Sequence, residues 1–208
     1  DTDDSPMPLE KDFSPTLAGS DLSRVQVTIL EWMRRVPELI KEAATRRNVS
    51  LGMKVFNALF DDDFQLQLLR TLHEGTPVDF YVYGNRLFDP RREFSGQRGI
   101  AYGGPDLSDR NLKVLGGFHD EMGHSMLPLS ATGNITSGRL ALEYALRGAS
   151  SFQLHTFFQL PSEEYLMQQG TKTRKALHEL YLHPEEGLVV WLHHLADRRG
   201  LDREPLRF

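Results

Sequence analysis

Four short apolar runs, Leu51 to Phe56, Val78 to Tyr83, Leu127 to Thr132 and Phe152 to Thr156, alternate with stretches of helical periodicity near Asp62 to His73, Asp106 to Phe118 and Ser137 to Arg147. This alternation restricts the fold more than any other feature of the chain. Short, largely apolar strands separated by helices are the pattern of a parallel sheet covered on both faces. Each run also ends in glycine or polar residues, and that end is where α/β folds place their ligands. The pattern predicts an α/β protein built from four consecutive βα units.

The flanks differ from this middle. Residues 1 to 20 are polar and rich in Pro, Ser and Asp, and read as an irregular loop. From Leu22 the apolar residues Val25, Ile29, Trp32, Met33, Val36, Ile40 and Ala43 recur at three- and four-residue spacing. That spacing predicts an amphipathic helix capped at Ser20 or Asp21 and kinked or split by Pro37. Lys172 to Leu182 and Gly187 to Leu195 read as two further helices joined at His183-Pro184, with a charged stretch after Arg198. The chain therefore divides into a βα region over 1–160 and a helical extension over 161–208.

At 208 residues with 39% hydrophobic content, the chain is one domain with an appendage and can bury a sizeable core. No apolar run approaches the length of about 20 residues that spans a bilayer. The net charge of -5 argues against a nucleic-acid surface, which needs clustered Lys and Arg. Without Cys there is neither a disulfide framework nor a thiolate metal site, as fits a reducing, cytoplasmic setting. Asp1-Thr2-Asp3-Asp4 has neither the basic start nor the apolar stretch of a signal peptide.

Two strand ends carry the most chemistry. Ser130-Ala-Thr-Gly133-Asn134-Ile-Thr136 and Ser151-Phe-Gln-Leu-His155-Thr156 lie one βα unit apart, so their loop amides can point at one anion. The helix between them has a cap at Thr136 or Ser137 and a stop at Gly148, which would turn its positive end toward that anion. Lys54 sits inside an apolar run, where an ammonium needs an anionic or electron-rich neighbour, a solvated strand end, or a carboxylate partner. Asn85, after the second run, can donate to and accept from a heterocycle edge, and Gly-Asn is also ordinary turn chemistry. Gly103-Gly104, ahead of a helix capped by Asp106 or Ser108, lets backbone approach a phosphate or ring, or forms a plain capped loop. His119 and His124 lack the spacing of a zinc-binding helix, so no metal is expected there. His183, His193 and His194 read as surface or packing residues of the tail. Asp61-Asp62-Asp63 reads as an acidic helix start, because the alternating ligands of a calcium loop are missing.

Taken in order, Met53-Lys54-Val55, Tyr83-Gly84-Asn85, Gly103-Gly104-Pro-Asp-Leu-Ser108, Ala131-Thr-Gly133-Asn134-Ile-Thr-Ser-Gly138 and Gly148-Ala-Ser-Ser-Phe-Gln-Leu-His155-Thr156 resemble the dihydroorotate dehydrogenase family. The resemblance extends from Leu22 to Leu160 and is most specific in its last two segments. It implies an FMN-binding (βα)8 TIM barrel that oxidises dihydroorotate to orotate in pyrimidine biosynthesis. By the same resemblance, Lys54 would face the polar edge of the flavin and stabilise charge on its reduced form. Asn85 would hold flavin or substrate, and Gly103 or Gly104 would line the flavin. Gly133, Asn134, His155 and Thr156 would give main-chain amides to the FMN phosphate.

This sequence departs from the family pattern in three places. The family usually has Gly-Gly where Gly133-Asn134 stands, and a Thr or Ser in place of Arg86, whose guanidinium could clamp an anionic substrate or mark a different one. The family's base, a Cys or Ser before Pro-Asn, has its nearest counterpart in Ser5 of Asp4-Ser5-Pro6-Met7, which needs a partner to take a proton. The matched strands correspond to strands five to eight of the family barrel. Four units cannot close a barrel of about 250 residues and would leave an open apolar edge. The missing half is therefore expected in the same longer protein or in another chain, with a dihydroorotate-like small molecule as substrate and no nucleic acid or membrane span. Trp191 and Leu192 in the tail would pack on the barrel or on a neighbour, which leaves a homo-oligomer open. An FMN enzyme with another substrate, and a non-catalytic barrel relic that binds a phosphate ligand, are the competing readings.

Overall fold

The computed structural model describes residues 22–44, 49–58, 60–103 and 105–201. In chain order they form α1 (Leu22–Ala43), β1 (Gly52–Asn57), α2 (Asp62–Gly75), β2 (Phe80–Phe94), β3 (Gln97–Tyr102), α3 (Pro105–Met122), β4 (Leu129–Thr132), α4 (Gly138–Ala145), β5 (Ala149–Gln153), α5 (Lys172–Leu182) and α6 (Leu188–Arg199). Short 3-10 turns occupy Gly123–Ser125, Thr156–Gln159 and Ser162–Glu164.

β1, β2, β4 and β5 pair in parallel and lie side by side in chain order. If every crossover has the same hand and each strand is laid beside its predecessor, all the connecting helices fall on one face. The packing shows this result. Val55, Tyr81, Tyr83, Leu129 and Ala131 point to one side and are fully buried against Leu68, Leu69 and Leu72 of α2 and Val114, Leu115 and Phe118 of α3. Alternate residues point the other way. Lys54, Phe80, Ser130, Thr132, Ser151 and Gln153 share a face that no described helix covers. The expectation of a sheet covered on both faces is thus corrected: this is the winding of a barrel wall, mostly parallel, and the barrel is not closed.

Two further expectations change. The second strand does not stop at Gly84-Asn85. It stays paired with β1 through a bulge, Asn57 opposite Leu87, and runs on to Phe94. There a two-residue turn at Ser95 (φ 51°) and Gly96 (φ 80°) folds it back into antiparallel β3. Positive φ at both central turn residues matches the twist of the flanking strands. Pro37 does not split α1, which continues through it. The helix is anchored on both sides of the proline, by Ile29 in the core and by Lys41, whose ammonium donates to Asp79 (3.0 Å) and to the Val49 carbonyl (3.1 Å).

Helix starts follow local chemistry. Asp61 caps α2, accepting from the Phe64 amide at 2.9 Å, and Asp62 pairs with Arg110 and Lys113, so the acidic triplet is a helix start. α3 begins at Pro105, which suits a first helical position, so Asp106 and Ser108 lie inside the helix and not ahead of it. Ser137 caps α4, accepting from Leu140. The extension packs back on the sheet region through a smaller core of Phe157, Tyr165, Ala176 and Leu180.

Candidate anion-binding site

At the C-terminal ends of the parallel strands lies a cavity of about 770 Å³, a volume suited to a cofactor or small-molecule ligand. Its wall combines Lys54 from β1, Arg86 from β2, Gly103 after β3, Gly133 and Asn134 after β4, and His155 after β5. Asn85 precedes Arg86 within β2, and Thr156 opens the 3-10 turn that follows His155. Gly104 and Ser5 lie outside the described residues.

Lys54 is exposed on the uncovered face, so the argument from burying an ammonium is corrected: solvent and the cavity meet it. Neither Lys54 nor Arg86 makes an ion pair among the described residues, and no described lining residue is a carboxylate. Two cations on adjacent strands, without an ion pair among the described residues, favour an anion in the space between them. The main-chain N–H groups of Asn134, Ile135, Thr136 and His155 likewise have no hydrogen-bond partner among the described residues. Gly133 (φ 107°) and Asn134 (φ 53°) lie consecutively in positive-φ conformations, which turns the chain sharply off the strand.

The glycines serve a purpose that the sequence does not reveal. A Cβ on Gly84 would overlap the Asn111 amide, and one on Gly133 would come within 2.5 Å of both Asn111 Nδ2 and the Gly84 carbonyl. Their missing side chains admit Asn111, a fully buried residue of α3. Its Nδ2 donates to the Gly84 carbonyl (2.9 Å), the Thr132 carbonyl (3.1 Å) and the Tyr144 hydroxyl (3.2 Å), while its Oδ1 accepts from Asn57 (3.0 Å). Tyr144 in turn donates to the Gly133 carbonyl at 2.9 Å. Burial pushes the Tyr144 phenol up to about 12, partly offset by its bond to Asn111, so it stays protonated as a donor at neutral pH.

Other supports lie below the floor of the site. Gln65, fully buried, donates to the Phe56 carbonyl (2.9 Å) and accepts from the Ala58 amide (2.8 Å). Arg110 donates to the carbonyls of Ala58 and Phe60, both at 2.8 Å. Together they fix the turn that leaves β1.

The extension reaches the site from behind. The Arg139 amide in the first turn of α4 donates to the Glu186 carbonyl (2.9 Å), and Gly138 is packed directly against Leu188 and Leu180. One amide at the start of α4 is therefore engaged by the α5–α6 corner. His183 builds that corner, its Nδ1 accepting from the Glu185 (3.1 Å) and Glu186 (3.0 Å) amides. Tyr165 donates to the Phe157 carbonyl at 2.5 Å and steadies the 3-10 turn after His155.

Asn111, Tyr144, Gln65, Arg110 and Tyr165 were not singled out by the sequence. A polar residue in mid-helix has no local signature of a long-range partner, and only the unexplained glycines at positions 84 and 133 hint at one. The described residues contain no group of three or more His, Asp or Glu side chains able to hold a metal, and no helix long and apolar enough to cross a membrane.

No family model and no curated protein matches the chain. Solved structures do. Ligand-free dihydroorotate dehydrogenase (DHODH) from Eimeria tenella matches at 17% identity and a TM-score of 0.45, over 71% of this chain and 36% of that one. DHODH from the same organism in complex with ferulenol matches at 17% identity and a TM-score of 0.43, over 85% of this chain and 46% of that one. This chain spans less than half the length of either.

Proposed function

We propose that this chain is the flavin-binding part of an FMN-dependent oxidoreductase of the dihydroorotate dehydrogenase type. The reading rests on one observation: the residues at which the sequence resembles that family, Lys54, Gly103, Gly133, Asn134 and His155, line one cavity with a cationic, carboxylate-free wall. The donor set fits FMN. The amides of Asn134, Ile135, Thr136 and His155, which have no partner among the described residues, suit a phosphate, and Lys54 suits the electron-rich edge of the ring system.

Oxidation of dihydroorotate removes a proton and a hydride from adjacent carbons, and FMN when bound supplies the hydride acceptor. Lys54 stabilises negative charge at the ring edge, and among the described residues no carboxylate pairs with it. Arg86 holds an anionic group of the substrate through its planar fork. Asn85 orients flavin or substrate, Gly103 leaves the backbone open toward the ring, and Gly104 joins the site by resemblance alone. Ser5 is the proposed base by resemblance, with a partner to accept its proton.

The uncovered sheet face and the free edge of β1 support a second half-barrel, in the same longer protein or another chain. Parallel sheets are stable when both faces are covered. α1 also leaves Trp32 at 46% and Val36 at 44% exposure.

The test is anaerobic titration of the purified, flavin-supplemented full-length protein. Flavin absorbance that bleaches on addition of dihydroorotate supports the assignment, and a protein that takes up no FMN overturns it. Arg86 favours one other reading, a different anionic substrate. Flavin reduction by another carboxylate with dihydroorotate inert would select it.

A further inference from the structure

We infer that Asn111 and Tyr144 form a positioning pair that fixes the mutual height of the strand ends around the anion site. The pair touches three neighbouring parallel strands beneath the cavity: Asn57 of β1, the Gly84 carbonyl of β2, the Thr132 carbonyl of β4 and the Gly133 carbonyl beyond it. Asn111 and Tyr144 are both fully buried, so water does not compete for these bonds. Neither lines the cavity.

The bonding is over-subscribed in a way that suits a spacer. Two amide hydrogens of Asn111 serve three oxygens, and the Tyr144 hydroxyl both accepts from Asn111 and donates to Gly133. A shift of one strand end along its axis would break bonds at the others, so the ends move together or not at all. Gly84 and Gly133 have no side chain because this network occupies that space. The separation between the Lys54–Arg86 cations and the Asn134–Thr136 amides follows from it. The pair acts through those groups and does not itself meet ligand.

The inference relies on the flavin reading only for its choice of ligand. The test uses Tyr144→Phe, which keeps the ring and removes the hydroxyl, beside Val114→Ala, a core truncation away from the cavity. Inorganic phosphate and FMN affinities are measured by calorimetry, urea midpoints by circular dichroism, and backbone order parameters of Asn134 to Thr136 by NMR. Losing the Tyr144 hydroxyl is expected to weaken both ligands about tenfold and to lower those order parameters below the rigid value of about 0.85. Val114→Ala is expected to lower the urea midpoint and leave affinity and order unchanged. Wild-type affinity and order in folded Tyr144→Phe, or equal effects from Val114→Ala, would overturn the inference. If the wild-type protein binds neither phosphate nor FMN, the flavin reading fails, and the order parameters alone decide the role of the pair.

Discussion

The two faces of the sheet are made from the same strands and have opposite duties. On the helix side, Val55, Tyr81, Tyr83, Leu129 and Ala131 are fully buried. On the other side, their immediate neighbours Lys54, Ser130 and Thr132 are polar, and Phe80 remains 36% exposed. One side supplies stability through apolar area removed from water, worth roughly 25 cal/mol per Å². The other carries charge and hydroxyls beside Val82 and Phe80, and contributes less to folding. A single-residue alternation separates the two duties, so a substitution should act on one property and spare the other.

The strongest challenge to this contrast is Leu129→Ala. Truncating a fully buried leucine should cost about 3 kcal/mol in urea unfolding and leave phosphate affinity of the folded protein unchanged. A large loss of affinity would show that the faces are not independent. Next is Gly133→Ala, which forces a Cβ against Asn111 at a φ of 107°. It should destabilise the protein by about 2 kcal/mol and also weaken anion binding, because this residue stands where the two duties meet. Lys54→Ala should do the reverse of Leu129→Ala: stability within about 0.5 kcal/mol of wild type, and phosphate or FMN affinity reduced about tenfold by calorimetry.

The smallest effect concerns Asp62. Its bonds to Lys113 and Arg110 hold its carboxyl below the ordinary value. A depressed folded-state value means that the stabilisation is fully present above the ordinary carboxylate range near about 3.9 and is lost as pH falls through the folded value. The partly exposed pair is worth less than about 1 kcal/mol. Urea midpoints should therefore drop slightly more steeply below about pH 4 in wild type than in Asp62→Asn, and identical profiles would remove the pair from the account.

The parallel scaffold was legible because each strand and helix states its own period. Lys172–Leu182 has the bounds that the spacing predicts, and the cap at Ser137 can be read from its type and position. What escaped depends on partners distant in sequence. β3 was missed because Arg86 to Tyr102 mixes charges and a proline with its apolar residues, although Ser95-Gly96 is a turn signal. The open face is implied only by the count of four units and not by the strands themselves, because an apolar run reads alike whether or not a second layer exists. At the site, Lys54 was visible as a cation inside an apolar run, Arg86 as a departure from the family pattern, and Gly133, Asn134 and His155 as residue types at strand ends. Asn111 was not, since a glycine that makes room for ligand and one that makes room for a neighbouring amide are identical in the sequence.

The docking of the α5–α6 corner on Gly138 has a consequence for biosynthesis. The first turn of α4 meets Leu188 and takes its bond from Glu186, both of which leave the ribosome long after the strands on either side of that helix. The sheet wall can collapse early, but the pocket's rear brace arrives only when translation has passed Leu188. Any anion binding at this pocket is thus expected to await synthesis of the α5–α6 corner and not to follow directly on collapse of the sheet wall.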